Sequence, residues 1–492
     1  MPTMNTRTLA IALLVIPALT LSGCGLFKGG KPKTAVLGER IPILTSENDA
    51  VVEPSIADVQ VILPAATANE SWTQSGGNSA KSMGHLALGA SPQRIWEVRI
   101  AGASKKERLG AAPVISGGTL YVMDTSATVH AFDAATGGKR WQTGFGGDGK
   151  KMSAIAFGGG VSVDGATLFA TNGVGDVAAL SASNGAVLWK KRPGGPLRGS
   201  PSFALGSVFA MSQDNQIYAL NVADGTVQWT EAAAVQTAGV FGVAAPAIGQ
   251  STVVAGFSSG DLAAYRYENG RSLWNDTLSR TSVNTSVSTL ADIDAAPVID
   301  QGRVFAIGQG GRMVSLELVT GQRIWELNVA GISTPWVAGE WVFVVTDEAK
   351  LLCVARATGK VRWVGQLPRY RKGKAKNGPV TWTGPVLAGN RLIVASSEGK
   401  LIPSSFLKIV QPSEGGIIKA LLVKEGEQVT AGQVLVRMDT RLSEADTKAL
   451  AAEIALRKLT LRRIDAEANG KMLIRATDDP PELFLKVLDQ FR

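Results

Sequence analysis

The sequence predicts an all-β fold, a β-propeller of four-stranded blades, and two fixed spacings support this prediction. Six tryptophans each stand four residues after a glycine: Trp141, Trp189, Trp229, Trp274, Trp325 and Trp363. Five of the six also stand 28 residues after a proline: Pro113, Pro201, Pro246, Pro297 and Pro335, with Val161 at the proline position of the remaining unit. A unit of this length that recurs along a chain is typical of a ring of stacked blades.

Each unit contains the signals of four short strands. In the fifth unit the runs 303–307 and 313–318 alternate apolar with small or polar residues, as half-buried strands do. Thr320-Gly321 supplies a tight turn, and Trp325 opens the last strand. Because one four-stranded sheet cannot bury both of its faces alone, we expect the blades to stack, with the indole ring wedged between two of them. We therefore interpret the repeat tryptophans as core residues rather than as a cofactor stack.

Length and composition limit the classes of function. The chain has 492 residues, of which 45% are hydrophobic and 18% charged, enough for one large domain and a smaller one. The net charge of +9 is spread thinly and is attributed to solubility. The two cysteines are Cys24 and Cys353, and the two histidines are His85 and His130. This supply makes a metal cluster or a Ser-His-Asp centre improbable and predicts Cys353 as a small core residue.

Residues 1–24 have the organisation of an export signal. Arg7 provides a basic start, residues 8–20 form an apolar segment, and Leu-Ser-Gly-Cys follows at 21–24. The last four residues resemble a bacterial lipobox, which would make Cys24 the site of lipid attachment; the alternative is an ordinary signal peptide with an incidental cysteine. By resemblance to bacterial lipoproteins, Gly25 favours the periplasmic face of the outer membrane.

The propeller is predicted over residues 71–402, preceded by a flexible tether over 25–70 that would span roughly 35–40 Å as a coil. Residues 94–98 are predicted as the fourth strand of a blade whose first three strands come from the far end of the chain, which would remove an exposed edge. A seventh unit begins near Pro385, but its phase is lost. Positions 409 and 413 hold Ile and Ser instead of Gly and Trp, and Pro403 falls where a central strand should run.

Two long connections share one phase of the repeat, which places them on the same rim. Val240-Phe241 precedes Pro246, and Asp292 and Asp294 precede Pro297. An apolar pair beside two carboxylates is typical of a protein contact, so these four residues are candidate partner-binding residues. The alternative is that the aspartates only cap turns before a strand.

A third long connection, residues 369–376, is strongly basic. We interpret it as a solvated loop, since nucleic acid is a poor partner for an exported protein. After the propeller, residues 403–442 have short alternating strands typical of half a biotinyl/lipoyl-like domain. Residues 443–492 begin with a helix predicted to end near Ala468.

The lipobox, the tryptophan repeats and the loop 292–297 together resemble the BamB family, the propeller lipoproteins of the outer-membrane β-barrel assembly machinery. The resemblance covers residues 1–402. It implies an eight-bladed ring without a cofactor, a non-enzymatic scaffold that docks onto the POTRA domains of BamA, the barrel subunit, and unfolded outer-membrane proteins as further clients. The family's Asp-x-Asp pair corresponds to Asp292 and Asp294. Its Leu/Arg loop corresponds to Val240 and Phe241, with Phe241 where the family has Arg.

From residue 399 onward the chain resembles HlyD-type membrane fusion proteins of type I secretion, up to the end of the first half of their lipoyl-like domain. The two resemblances overlap at residues 399–402, and the sequence therefore predicts a fusion of two gene products joined at residues 398–401. Two other functions stay open at this level. Quinoprotein dehydrogenases, which bind pyrroloquinoline quinone, also carry Gly-x-x-x-Trp propeller repeats, and the C-terminal segment would suit an adaptor of type I secretion.

Overall fold

The structure is a computed structural model of the chain. It describes residues 50–102, 107, 109–110, 112–146, 155–235, 242, 244–279, 291–373, 375–397, 401–403, 418–422, 436–438, 441–476 and 478–490. The chain divides into two compact units, residues 1–406 and 407–492. Within the described ranges, no helix is both long and apolar enough to cross a bilayer.

Six antiparallel four-stranded sheets form the first unit, with strands adjacent in chain order, so the predicted propeller blades are confirmed. Blades 1 and 2 comprise β1 (Val114–Ser116), β2 (Thr119–Met123), β3 (Thr128–Asp133), β4 (Lys139–Gly144), β5 (Gly160–Asp164), β6 (Thr167–Thr171), β7 (Val177–Ser181) and β8 (Val187–Lys191). Blades 3 and 4 comprise β9 (Ser202–Ala204), β10 (Ser207–Met211), β11 (Gln216–Asn221), β12 (Val227–Ala232), β13 (Ala247–Gly249), β14 (Thr252–Gly256), β15 (Asp261–Arg266) and β16 (Ser272–Thr277). Blades 5 and 6 comprise β17 (Val298–Asp300), β18 (Arg303–Ile307), β19 (Met313–Glu317), β20 (Arg323–Leu327), β21 (Trp336–Ala338), β22 (Trp341–Val345), β23 (Lys350–Ala355) and β24 (Val361–Gln366).

Seventh in the ring is a three-stranded sheet, preceded by a small hairpin. The hairpin pairs β25 (Tyr370–Lys372) with β26 (Asn377–Pro379), so the predicted basic loop is an ordered two-stranded element. Blade 7 comprises β27 (Trp382–Ala388), β28 (Arg391–Ser396) and β29 (Leu401–Pro403). Strand β29 has three residues, whereas the third strands of the complete blades have five or six. The predicted loss of repeat phase concerns positions 409 and 413, which lie outside the described residues, and stays a prediction.

The hydrophobic core lies between the blades rather than inside any one of them. Each buried cluster joins two neighbouring blades, from blades 1 and 2 to blades 6 and 7. Inner strands such as β10 and β14 are therefore buried on both faces. The first strands of neighbouring blades contact one another, which places them nearest to the central axis. The outer strands β12 and β16 each bury only their tryptophan.

Each repeat tryptophan from blades 1 to 5 docks onto the third turn of the next blade. The indole N–H of Trp229 donates to the carbonyl of Tyr267 at 2.8 Å, and its ring lies against Gly270. Trp141, Trp189, Trp274 and Trp325 make the same contact one blade on. The β-sheet register shifts directly beside every one of these tryptophans, and such a bulge re-aims a side chain. The interpretation of these residues as core packing is confirmed.

Trp96 docks in the same way, although its predicted strand does not form. Its indole N–H donates to the carbonyl of Ala134 at 3.0 Å, and its ring packs on Gly137 of blade 1. Residues 92–100 nevertheless contain no strand, so the prediction for residues 94–98 is wrong in this respect. A strand needs a neighbouring edge that supplies its ladder, and the third strand of blade 7 is only three residues long.

A segment that the sequence analysis did not recognise, residues 72–86, follows the innermost strands around the ring; we call it the axial segment. It contacts the blades in chain order: Trp72 exchanges backbone hydrogen bonds with Ile115 of blade 1, and Leu86 accepts one from Gly389 and donates one to Leu387 of blade 7. Between these ends, carbonyl groups of the segment accept hydrogen bonds from successive blades: Thr73 from Val163, Ser79 from Ile248, Ala80 from Ile299 and Gly84 from the indole N–H of Trp336. The side chain of Gln74 exchanges two hydrogen bonds with the backbone of Phe203. All seven first strands thus bond to one segment.

Lys81 of the axial segment is buried, and its ammonium group donates to the hydroxyl of Ser202 at 3.0 Å. Burial lowers the pKa of Lys81 to about 7, because the charged form is poorly solvated at the axis. Residues before the axial segment also pack on blade 6. Glu53 donates its backbone N–H to Val361, and Arg362 donates to the carbonyl of Val59. The prediction of a flexible tether over residues 25–70 is therefore wrong for the part from Glu53 onward, which packs on the propeller.

The second unit has little β-structure in its described part. Strands β30 (Ile418–Leu421) and β31 (Val436–Met438) form an antiparallel pair, and α1 (Arg441–Ala468) is the predicted helix. A second helix, α2 (Pro481–Leu488), packs against it through Leu459, Phe484 and Val487. The predicted half lipoyl-like domain, most of which lies outside the described residues, stays a prediction.

The tryptophan docking predicts a position-specific cost for a single added carbon. In Gly270→Ala, the new Cβ would lie 2.8 Å from Cδ2 of Trp229, whereas at Gly206 nothing lies within 4 Å. Both glycines have positive φ, 71° and 77°, so the backbone strain of about 1–2 kcal/mol is common to both. We expect Gly270→Ala to lower the free energy of unfolding by a further 1–3 kcal/mol or so. Urea unfolding measures it, and equal losses for Gly270→Ala and Gly206→Ala would contradict the docking argument.

Candidate functional site

The loop with the two candidate aspartates is fixed between blades 4 and 5. Ile293, between the aspartates, is buried against Gly256, and its backbone N–H donates to the carbonyl of Phe257 at 3.1 Å. On the other side, the backbone N–H of Gln309 donates to the carbonyl of Asp292 at 2.9 Å. The loop is therefore hydrogen-bonded to the second turn of both blades, with the apolar side chain of Ile293 buried between the two aspartates in the sequence.

The two aspartates differ in accessibility. The side chain of Asp292 is 1% exposed, while Asp294 is half-buried at the rim. Only Asp294 is placed to touch a partner directly without a change in the loop. Asp292 acts on it through space, since its negative charge disfavours ionisation of the neighbouring carboxyl.

The pKa of Asp294 is strongly perturbed by its surroundings. Desolvation raises its pKa to about 7, and the charges of Asp292 and Asp347 add to the effect. Nε2 of Gln309 donates a hydrogen bond to Oδ2 of Asp294 at 3.1 Å. A carboxyl group with this pKa is part-ionised at neutral pH, and a cation brought by a partner would favour its ionised form.

The loop from the preceding blade reaches the same place. A Cβ added at Gly242 would lie 3.1 Å from Oδ1 of Asp294, so the two loops touch at this point. Val240 and Phe241 lie outside the described residues. Their described neighbour Gly242 shows that connections of the same phase meet on one rim.

The Asp294–Gln309 contact recurs two blades earlier with other residues. Asp294 and Arg198 each stand three residues before their repeat proline, and Gln309 and Gln213 each stand twelve residues after it. Arg198 donates from Nε to Oε1 of Gln213 at 3.3 Å, and its guanidinium lies 4.3 Å above the ring of Phe157. The repeat thus brings the same two phases together in both blades, and only the side chains differ.

Two depressions connect these residues. Arg198, Gly242, Asp294 and Thr334 line a cavity of about 330 Å³. A second groove of about 230 Å³ runs from Gln309 past Asp347 to the base of blade 7. Sequence reasoning missed Gln309 and Asp347, although both stand twelve residues after a repeat proline, a phase that could have revealed them.

Chemistry-bearing residues elsewhere are satisfied within the fold. His130 lies 2.9 Å from Asp124, and His85 accepts from the backbone N–H of Asn390. Cys353 is fully buried, which raises the pKa of its thiol and makes it inert. Among the described residues no three His, Cys, Asp or Glu side chains group as metal ligands would.

A ring of four-stranded blades joined by docked tryptophans belongs to the class of β-propeller proteins. A family model described as "Outer membrane protein assembly factor BamB" matches residues 82–154 and 147–364, more than half of the chain. The chain belongs to this family. The match ends at residue 364, in the outer strand of blade 6.

Relatives and one solved structure agree with the family model. The BamB proteins of Yersinia pestis and Escherichia coli are 25% and 26% identical over 314 residues, which is 63% of this chain and 78% and 77% of theirs. That of Shewanella oneidensis is 24% identical over 337 residues, 68% of this chain and 82% of the relative. The crystal structure of BamB from Moraxella catarrhalis has a TM-score of 0.52 and 18% identity, and covers 67% of this chain and 95% of that one. This last likeness concerns the fold.

The raised pKa of Asp294 predicts a defined pH dependence of stability. The folded state binds the proton of the Asp294 carboxyl more tightly than the unfolded chain does. The contribution of this proton to the free energy of unfolding is therefore complete below about pH 4 and is lost as the pH rises through about 7. Asp294→Asn keeps an acceptor for Gln309 without the charge. We expect the variant to match the wild type at pH 4 and to be more stable at pH 8. Urea unfolding from pH 4 to 8 measures this, with the exposed Asp164→Asn as control; parallel curves for wild type and Asp294→Asn would contradict it.

Proposed function

We propose that this chain is a non-enzymatic scaffold for the assembly of outer-membrane β-barrel proteins. The relatives carry the name of an outer membrane protein assembly factor, and the chain shares their family model. The proposed partner is the BamA-type barrel subunit, bound through its POTRA domains, with unfolded outer-membrane proteins as further clients. The proposed location is the periplasmic face of the outer membrane.

The observation that supports a docking role is the meeting of two loops beside one ionisable rim carboxylate. Asp294 is half-buried, lies next to Gly242, and keeps one of its oxygens away from Gln309. We assign the direct contact to Asp294 and to the loop that carries Val240 and Phe241. Asp292, which is buried, positions the loop and tunes its neighbour.

The partner-binding proposal predicts a loss of affinity from one uncharged substitution. Removing one member of a partly desolvated charge pair typically costs about 2–5 kcal/mol, so Asp294→Asn should weaken binding at least about 30-fold. Binding of the wild type should strengthen from pH 6 to pH 8 as Asp294 ionises around its pKa of about 7, and the variant should lack this gain. The measurement is the Kd for the purified periplasmic domains of the barrel subunit.

Asp164→Asn is the matched control, because Asp164 is exposed in the first turn of blade 2, on the opposite rim. Equal affinities for the wild type, Asp294→Asn and Asp164→Asn would show that Asp294 only shapes the loop.

The lipid anchor is a separate part of the proposal. Residues 21–24 resemble a lipobox, and Cys24 lies outside the described residues. We expect radiolabelled palmitate to be incorporated into the wild-type chain, and Cys24→Ser to lose both this label and signal-peptide processing. Cys353→Ser is the control because that thiol is buried. Full labelling of the Cys24→Ser chain would rule out the anchor at this position.

We also propose that residues from about 399 onward derive from a second gene product similar to HlyD-type membrane fusion proteins. The shortened β29 and the start of a separate unit at residue 407 support a junction near residues 398–401. An uninterrupted reading frame across codons 380–430 in independently prepared source DNA, together with a C-terminal segment that resists limited proteolysis, would contradict this proposal and indicate a genuine two-domain protein.

A further inference from the structure

The basic segment between blades 6 and 7 has an unusual charge environment. Residues 349–397 contain ten lysines and arginines and no aspartate or glutamate. Five of the ten stand close together: Arg369, Arg371, Lys372, Lys374 and Lys376, all described by the structure except Lys374. Residues 369–379, which we call the cationic hairpin, therefore hold an amount of positive charge that is large against the net charge of +9 of the whole chain.

The cationic hairpin is an ordered element on a fixed base. Tyr370 pairs with Pro379, and Lys372 pairs with Asn377. At the base, the backbone N–H of Val380 donates to the carbonyl of Arg369 at 2.9 Å. The buried Trp382 donates from its indole N–H to the carbonyl of Pro368 at 2.8 Å. The backbone that carries the charges is thus held in place before any partner binds, which lowers the entropy lost on binding.

These charges are exposed and lack acidic neighbours on their own element. Arg369, Lys372 and Lys376 are exposed, and none of them is in an ion pair within the part of the chain that the structure describes. Like charges held close together repel one another, and an anionic surface relieves that repulsion. Such a patch raises the association rate of an oppositely charged partner.

The cationic hairpin emerges on the rim that carries Asp294. It connects the outer strand of blade 6 to the first strand of blade 7, as the loop of Asp294 connects the corresponding strands of blades 4 and 5. One groove joins the two places, with Gln309 at one end and Val380 and Trp382 at the other. Gln309 is also the donor to Asp294, so the hairpin continues the candidate docking surface.

The chain toward the N-terminus leaves on the other side of the ring. Glu53 bonds to Val361, just beyond the third turn of blade 6, and Pro64 lies against Gly339 in its first turn. First and third turns lie on the rim opposite to the one that carries Asp294. The described part of the chain thus begins on the rim away from the cationic hairpin, whereas the hairpin shares its rim with Asp294, which favours the same protein partner as its occupant.

We propose that the cationic hairpin is a second docking element, which binds an acidic surface of the same protein partner that Asp294 contacts. This inference rests on the proposed function, because it concerns the barrel subunit's periplasmic domains. It assigns the partner two features: a basic side chain toward Asp294 and an acidic surface toward the hairpin.

The test compares two triple variants with equal changes of net charge. The hairpin variant is Arg369→Gln, Lys372→Gln and Lys376→Gln; the control is Lys139→Gln, Arg266→Gln and Arg271→Gln, three exposed cations beside third turns on the opposite rim. The association rate constant for the barrel subunit's periplasmic domains is measured at about 50 and about 300 mM NaCl. We expect the hairpin variant to associate about tenfold more slowly at low salt, with a weaker salt dependence, and the control to match the wild type.

Three results would overturn the inference. If the wild type binds and the hairpin variant keeps its rate and salt dependence, the hairpin has no role and the proposed function stands. If the wild type does not bind, the proposed function fails with it. The third result has two parts. The hairpin variant keeps its binding to the subunit, and removing the hairpin charges from the Cys24→Ser protein abolishes its attachment to vesicles of phosphatidylethanolamine and phosphatidylglycerol, at about 3:1. The partner of the hairpin would then be a lipid surface.

Discussion

The contact between an indole ring and a glycine determines how each of blades 1 to 5 meets the next. Trp229 sits where any Cβ on Gly270 would collide with it, and the indole N–H is satisfied by a carbonyl of the same turn. Since the ring is flat and its polar atom is bonded, the interface buries a large apolar area without an unpaired donor. Repeating this contact blade after blade gives the same relative orientation each time, and the curvature of the ring follows from it.

A constant orientation between blades has a functional consequence. Residues at equal phases of the repeat are carried to equivalent places on a rim, so one pair of positions yields Arg198–Gln213 in one blade and Asp294–Gln309 in another. The fold thus supplies a rim of repeated sockets, and individual side chains give each socket its charge. The acid at Asp294 and the cationic hairpin lie on one rim without disturbing the docking tryptophans, which act near the opposite one.

The propeller could be predicted because its determinants are local and periodic, whereas other features depend on distant partners. The aspartate loop was found from its phase, and Gln309 was within reach of the same reasoning. That Asp292 would be buried depends on Gln309 and Phe257, which the loop sequence does not reveal. The axial segment bonds mainly through backbone groups to strands up to about 300 residues away, so no side-chain pattern marks it. The failed strand at 94–98 shows the converse, a good local pattern without an edge to pair with.

Closure of the ring therefore depends on a different device from the one that the repeat suggests. A propeller usually closes when its two termini share one blade, which removes an exposed edge. Here Trp96 keeps the docking contact of such a shared blade but none of its ladder. The axial segment instead joins blade 7, through Leu86, to blade 1, through Trp72. Because these two bonds lie on a single stretch of chain, residues 72–86 tie blades 1 and 7 to one another. The buried Lys81 lies in that same stretch, at a point where a charge is poorly tolerated.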